Sequence, residues 1–362
     1  MRIAEADPDL APGFALLRRL CWEGYYAATH ARRPAGLELV GFHPVPPGVE
    51  PVEPEPVPSI RSNAVRPRYD AIVVGSGPGG GTAARVLAGA GRHVLLVERA
   101  PARRNAELRG DHLRGKRNAV YWPTVGPGPG HPRELDGPER VEAATAAGPY
   151  GLNADVLGGG TRVWQGMAWR FLPEDFRMGE VYGSPDGASL VDWPVDYAEM
   201  EPFYTRAEWE LGVAGAEGPL TARTPRSAGY PMPAMGTEPA RDLLAGAADT
   251  LGWGWGPIPL AINSVPRAGR PACVRCAQCV GHACPVDAKN GAHNTVIADA
   301  VASGRCDLLQ DAEVIEVRDG PGAAAVTMMV DCSGAAPTEL TVSADVIVVS
   351  AGAVETPRLL LA

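Results

Sequence analysis

The glycine run Gly75-Ser-Gly77-Pro-Gly-Gly80 constrains this chain more than any other feature. It follows an apolar run at 71–74 that reads as a buried β-strand. It opens a stretch at 81–90 whose small and apolar residues recur at helical spacing. A second apolar run at 93–97, HVLLV, ends in Glu98. Strand, tight turn, helix and strand in this order imply a parallel sheet with a right-handed crossover. In such a unit Gly75 permits the turn, Gly77 lets backbone approach a pyrophosphate, and Gly80 lets helix and strand pack closely. The helix N-terminus offers free N–H groups and a positive dipole end to phosphates. Glu98 is placed to accept from ribose hydroxyls. The expected class is α/β, with a Rossmann-like dinucleotide-binding domain. The alternative is a glycine-rich turn without a ligand, and the agreement of all four parts argues against it. Flavin and nicotinamide are not distinguished by this unit.

The flanking sequence divides the chain further. Residues 10–26 place Phe14, Leu17, Cys21 and Trp22 on one helical face, which predicts a short amphipathic helix in a tail spanning 1–42. Seven prolines between 43 and 58 exclude helix and central strand and predict an extended linker over 43–68. The dinucleotide unit is expected over 69–213, with a polar, loop-rich stretch at 101–150. Asp196 and Glu199 form a capping box for a helix at 197–211, whose apolar face reads through Met200, Phe203, Tyr204, Ala207 and Leu211. Residues 214–270, rich in Gly, Pro and Ala, read as an irregular cap or substrate-side insertion. The last section, 271–362, opens with a cysteine cluster and then reads as strands at 313–317, 325–330, 340–342 and 346–349, a β-meander returning to the first domain.

Composition excludes several classes. A net charge of −9 with no continuous basic stretch argues against a nucleic-acid partner. No apolar run approaches the roughly 18 residues that cross a bilayer, so no transmembrane segment is expected. Residues 1–20 carry Asp and Glu where a signal peptide needs positive charge, and the expected location is cytoplasmic. Only two of the 33 basic residues are lysines, Lys116 and Lys289, which reads as compositional bias.

Four of the seven cysteines crowd into twelve residues, as Cys273-x2-Cys276-x2-Cys279-x4-Cys284-Pro285. This spacing is one residue longer than the bacterial ferredoxin run. Thiolates at this density can wrap an iron–sulfur cluster. Zinc, a metal-free structural loop and sparse disulfides remain as alternatives.

Segments 158–167 (GGGTRVWQGM), 169–176, 193–204 and 351–357 (AGAVETP) together resemble the glucose-methanol-choline (GMC) flavoprotein family, with greatest similarity to the gluconate and sorbitol dehydrogenase flavoprotein subunits. The resemblance spans 69–362. It implies FAD, held by Gly75, Gly77, Gly80 and Glu98 together with Gly159, Gly160, Thr161, Gln165, Gly166, Val314 and Gly352. It implies hydride transfer from a CH–OH group of an alcohol or sugar to the flavin. By location it makes Cys273, Cys276, Cys279 and Cys284 ligands of an iron–sulfur cluster that passes electrons to a carrier such as a cytochrome. The family's catalytic histidine lies in a segment expected beyond Ala362, so no catalytic residue is assigned. His112 and His131 read as surface or structural, and His282 and His293 as residues packed around the cysteines. Glu23-Gly-Tyr-Tyr26 resembles the end of the small accessory subunit of the same dehydrogenases, with a plain docking helix as the alternative. A flavin-binding fragment without turnover and an electron-transfer accessory subunit are the competing functions.

Overall fold

The computed structural model describes residues 48–108, 154–276, 279–319, 324–334 and 336–361, and the backbone of the short paired strands at 134–135 and 141–142. The expected helix at 10–26, His112 and His131 lie outside the described residues.

Strand β1 (Arg68–Val74) leads through the glycine turn into helix α1 (Pro78–Gly89) and then strand β2 (Val94–Val97). Helices α2 (Tyr197–Leu211) and α3 (Pro239–Thr250) precede the next strand of the sheet. The chain returns through α4 (Val296–Ala302) and strand β3 (Cys306–Leu309). An antiparallel meander follows, β4 (Ala312–Arg318), β5 (Ala324–Val330) and β6 (Thr338–Val349), and α5 (Gly352–Leu361) comes last.

These strands form one six-stranded sheet in the order β3-β2-β1-β6-β5-β4. Strands β3, β2, β1 and β6 are parallel, and β6 also pairs antiparallel with β5. One strand therefore belongs to both the nucleotide unit and the meander. On one face α1 and α4 cover Ala71, Val73, Val94, Leu96 and Leu308. On the other, Ile72, Val74, Leu95 and Val97 pack with the meander residues Val326, Met328 and Val342, and with Leu359 of α5. Ile72, Val73, Val94, Leu95 and Leu96 are fully buried, which explains why β1 and β2 read as continuous apolar runs without polar alternation.

Several sequence expectations need correction. The runs at 340–342 and 346–349 are one strand, because Ser343 and Asp345 lie within β6 and keep its pairing unbroken. Strand β3 and helices α3 and α4 were not expected. Gly352, at φ +93°, turns the chain from β6 into α5, which continues through Pro357. The capping box of α2 is present, with the Glu199 amide donating to Asp196 Oδ1 at 2.9 Å and the Asp196 amide donating to Glu199 Oε2 at 2.9 Å. Its buried face differs from the apolar reading. Phe203 is 63% exposed, whereas Glu208 is buried against the guanidinium of Arg170. Arg170 also donates to Glu201 Oε1 at 3.0 Å and Thr205 Oγ1 at 2.9 Å, so charge rather than apolar periodicity orients this helix.

Candidate functional site

The C-terminal ends of the parallel strands open onto a cleft of about 680 Å³. Its floor is the glycine turn. Gly75 has φ +96°, its amide donates to the Val97 carbonyl at 2.8 Å, and an added Cβ would sit 2.5 Å from the Ser350 carbonyl oxygen. Only glycine meets both demands. A Cβ on Gly80 would collide with the Gly75 carbonyl, so α1 packs directly on the end of β1. Gly77 caps α1 without a side chain, and nothing lies within 4 Å of where its Cβ would be. The first N–H groups of α1 thus face an open cleft, the arrangement that receives phosphates.

A second glycine turn closes over the first. Gly158, at φ +86°, would drive a Cβ to 2.9 Å from the His293 amide nitrogen, and a Cβ on Gly159 would lie 3.2 Å from Gly77 Cα. Ser76 links the two turns. Its hydroxyl donates to Glu98 Oε2 and accepts from the Gly158 amide at 3.0 Å. The Glu98 carboxylate also accepts from the Ser76 amide at 3.0 Å and the Ala100 amide at 2.8 Å. Burial pushes its pKa above the ordinary carboxylate range, against the pull of those donors.

Gly75, Gly77, Glu98, Gly159, Gly160, Val314 and Gly352 all line this cleft. Gly80, Thr161, Gln165 and Gly166 are not part of its lining. The Thr161 hydroxyl donates to the Gly158 carbonyl at 2.6 Å and accepts from the Ala292 amide at 2.9 Å, closing the glycine turn from behind. Gly166 is fixed against Ile262, and Gln165 is exposed. Ser76, Ser350, Asp155 and Arg358 line the cleft without having been singled out from sequence. Ser76 was visible as the residue inside the motif; Ser350 follows β6, Asp155 belongs to the 154–160 segment and Arg358 to α5, and only the fold brings them to β1. At one end Arg99 lies 3.6 Å from Asp155, and Arg358 lies 3.9 Å from Glu313 and 2.5 Å from Glu355.

Behind the second turn, His293 packs under Gly158. Burial, reinforced by Arg162, Arg270 and Lys289, holds its imidazole well below the ordinary range and hence neutral. The cysteine loop lies on this side too. Cys273, Cys276, Cys279 and Cys284 line one void of about 20 Å³ with Ile262 and Lys289. All six described cysteines are thiols. Burial raises the pKa of Cys273 and pushes that of Cys279 up to about 11. Among the described residues no group of three or more His, Cys, Asp or Glu is arranged to hold a metal ion as the side chains stand. The void has the volume of a single water. As a donor set the loop is all soft sulfur, suited to iron–sulfur or zinc.

The sequence profile of the GMC oxidoreductases matches residues 144–362, more than half of the chain. The chain belongs to the GMC oxidoreductase family. The matched part holds the second glycine turn, the cysteine loop and the meander. The first glycine turn precedes it, and the sheet joins the two through β1 and β6. Among GMC relatives, the paromamine 6'-oxidase of Streptomyces fradiae is 31% identical over 81% of this chain and 49% of its own. The fructose dehydrogenase large subunit of Gluconobacter japonicus is 29% identical over 81% of this chain and 54% of its own. The gluconate 2-dehydrogenase flavoprotein of Pantoea cypripedii is 25% identical over 78% of this chain and 50% of its own. The chain thus spans about half the length of these curated GMC relatives. No described helix of this GMC chain is long and apolar enough to cross a membrane.

Proposed function

We propose that this chain binds FAD and forms the cofactor half of an oxidoreductase acting on a CH–OH group of an alcohol or sugar. One observation carries the reading: two glycine turns, joined by Ser76 and Glu98, meet at the N-terminus of α1 over a cleft of about 680 Å³. A pyrophosphate fits against Gly77 and the free N–H groups of α1, where its charge meets the helix dipole. Glu98 Oε1, which accepts one hydrogen bond from Ala100, keeps capacity to accept from a ribose hydroxyl. Val314 on β4 and Arg99 are proposed to border the adenine end, and Gly159, Gly160 and Gly352 the path toward the flavin ring. Thr161 supports the second turn from behind, and Gln165 and Gly166 continue the same segment. FAD, when bound, supplies the hydride acceptor. The chain's own residues bind and orient it.

The four cysteines are proposed as ligands of an iron–sulfur cluster handing electrons to a carrier protein. Support comes from four thiol side chains around one void and from their spacing ahead of Pro285. No metal-ready arrangement exists among the described residues.

Anaerobic purification with a visible spectrum, iron and acid-labile sulfide assays tests both parts. Flavin bands are expected, together with iron and acid-labile sulfide. Flavin without iron removes the cluster, and a colourless protein overturns the FAD assignment.

A further inference from the structure

Lys289 is one of two lysines in the chain, and only 2% of it is exposed. All three donors of its ammonium are used: on the Trp164 carbonyl at 2.7 Å, the Cys279 carbonyl at 2.7 Å and the His282 carbonyl at 2.7 Å. None of these acceptors is a carboxylate. Asp287, two residues away, accepts from Asn294 Nδ2 at 2.8 Å, and its charge is met by Arg270 and Arg162. Lys289 lines the same void as all four cysteines.

A buried cation with carbonyl acceptors alone is costly, because the hydrogen bonds are satisfied but the charge is not matched. Four thiols supply no counter-charge. Four thiolates do, and thiols become thiolates when they bind a metal. A divalent ion held by four thiolates carries a net charge of −2, with four protons released to solvent, and one adjacent ammonium reduces this to −1.

We infer that Lys289 is the built-in counter-charge of the cysteine site and ties that site to the flavin segment through the Trp164 carbonyl. The inference rests on reading the four cysteines as ligands. It goes further in making Lys289 a positioning residue that acts on those ligands without touching the flavin. Trp164 lies within 158–167, and its indole Nε1 donates to the Asn290 carbonyl at 3.0 Å. The cofactor turn and the cysteine loop are therefore held by adjacent residues of one short segment.

The test uses the full chain, freed of iron and sulfide by anaerobic chelation, and cobalt(II) as probe, titrated anaerobically and read by the thiolate-to-cobalt charge-transfer absorption. Lys289→Gln keeps two hydrogen-bond donors and loses the charge; Lys289→Met loses both. Both variants are expected to bind cobalt about 10- to 100-fold more weakly than the parent, with flavin content preserved in Lys289→Gln. Cobalt binding by Lys289→Gln as tight as that of the parent would overturn the inference, because hydrogen bonds alone would then suffice. Should Lys289→Met fail to fold, Lys289→Gln alone decides in the same two ways. A parent chain that gives no charge-transfer band removes the cysteine site itself, and the inference with it.

Discussion

The hydroxyl of Ser76 donates to the carboxylate of Glu98, and the same oxygen accepts from the amide that opens the second glycine turn. Ser76→Ala leaves the Gly158 amide without that acceptor in a buried place. A loss of about 1–3 kcal/mol in stability is expected, measured by urea unfolding. Weaker flavin retention on gel filtration should accompany it. Unchanged stability would mean that the two turns are held independently of Ser76.

Gly77 and Gly80 belong to one motif and should fail differently. Nothing lies within 4 Å of a Cβ on Gly77, so Gly77→Ala should fold at a cost of no more than about 1 kcal/mol. Its methyl group enters the cleft, and flavin content should fall to near zero. Gly80→Ala drives a methyl into the Gly75 carbonyl and is expected to cost about 1–3 kcal/mol or more. Thermal melts beside flavin absorbance separate the two effects; equal loss of fold in both would contradict the assignment of Gly77 to ligand approach.

Arg170 anchors α2 through Glu201 and Glu208, with side chains almost wholly buried. Arg226 pairs with the same Glu208 and stacks over Tyr230 at 3.9 Å from the ring centre. Arg170→Met strands Glu201 and part of the Glu208 charge. Its expected cost is about 3–5 kcal/mol. Urea unfolding of parent and variant measures it, and an unchanged midpoint would show that Glu201 and Glu208 are satisfied without Arg170.

Burial alone would raise the Glu201 carboxyl, but donors from Thr205, Ser227 and Arg170 outweigh it and hold the pKa at about 2. A depressed carboxylate contributes stability above its unfolded value of roughly 4.3, and that contribution disappears as pH falls toward about 2. Glu201→Gln should therefore flatten the stability profile between these limits and leave its shape above pH 5 unchanged. Parallel profiles for parent and variant across that window would show that Glu201 titrates normally.

The nucleotide unit was legible because β1 and β2 are buried on both faces and Gly75 and Gly80 between them leave no room for a side chain. The capping box of α2 was legible because it is a contact between residues three apart. What escaped depends on distant partners. Strand β3, with the sequence Cys-Asp-Leu-Leu, is too short to show a period and is defined by pairing with β2. The buried face of α2 follows Arg170, which no helical periodicity within 197–211 reveals. Thr161 reads as a group for a ligand, yet its hydroxyl is used on the Gly158 carbonyl and the Ala292 amide. Lys289 reads as compositional bias because only the fold brings three carbonyls and four cysteines around it.

The pairing of β1 with β6 also sets a schedule for synthesis. Val74 ends β1, but the partner strand begins only at Thr338. At roughly 5–20 residues per second, a ribosome takes on the order of tens of seconds to span that interval. Throughout it the newly made β1 presents a bare, apolar strand edge to solvent or to whatever chaperone meets it first. The strand that completes the cofactor cleft is thus also the one that ends the nascent chain's period of greatest exposure to mispairing.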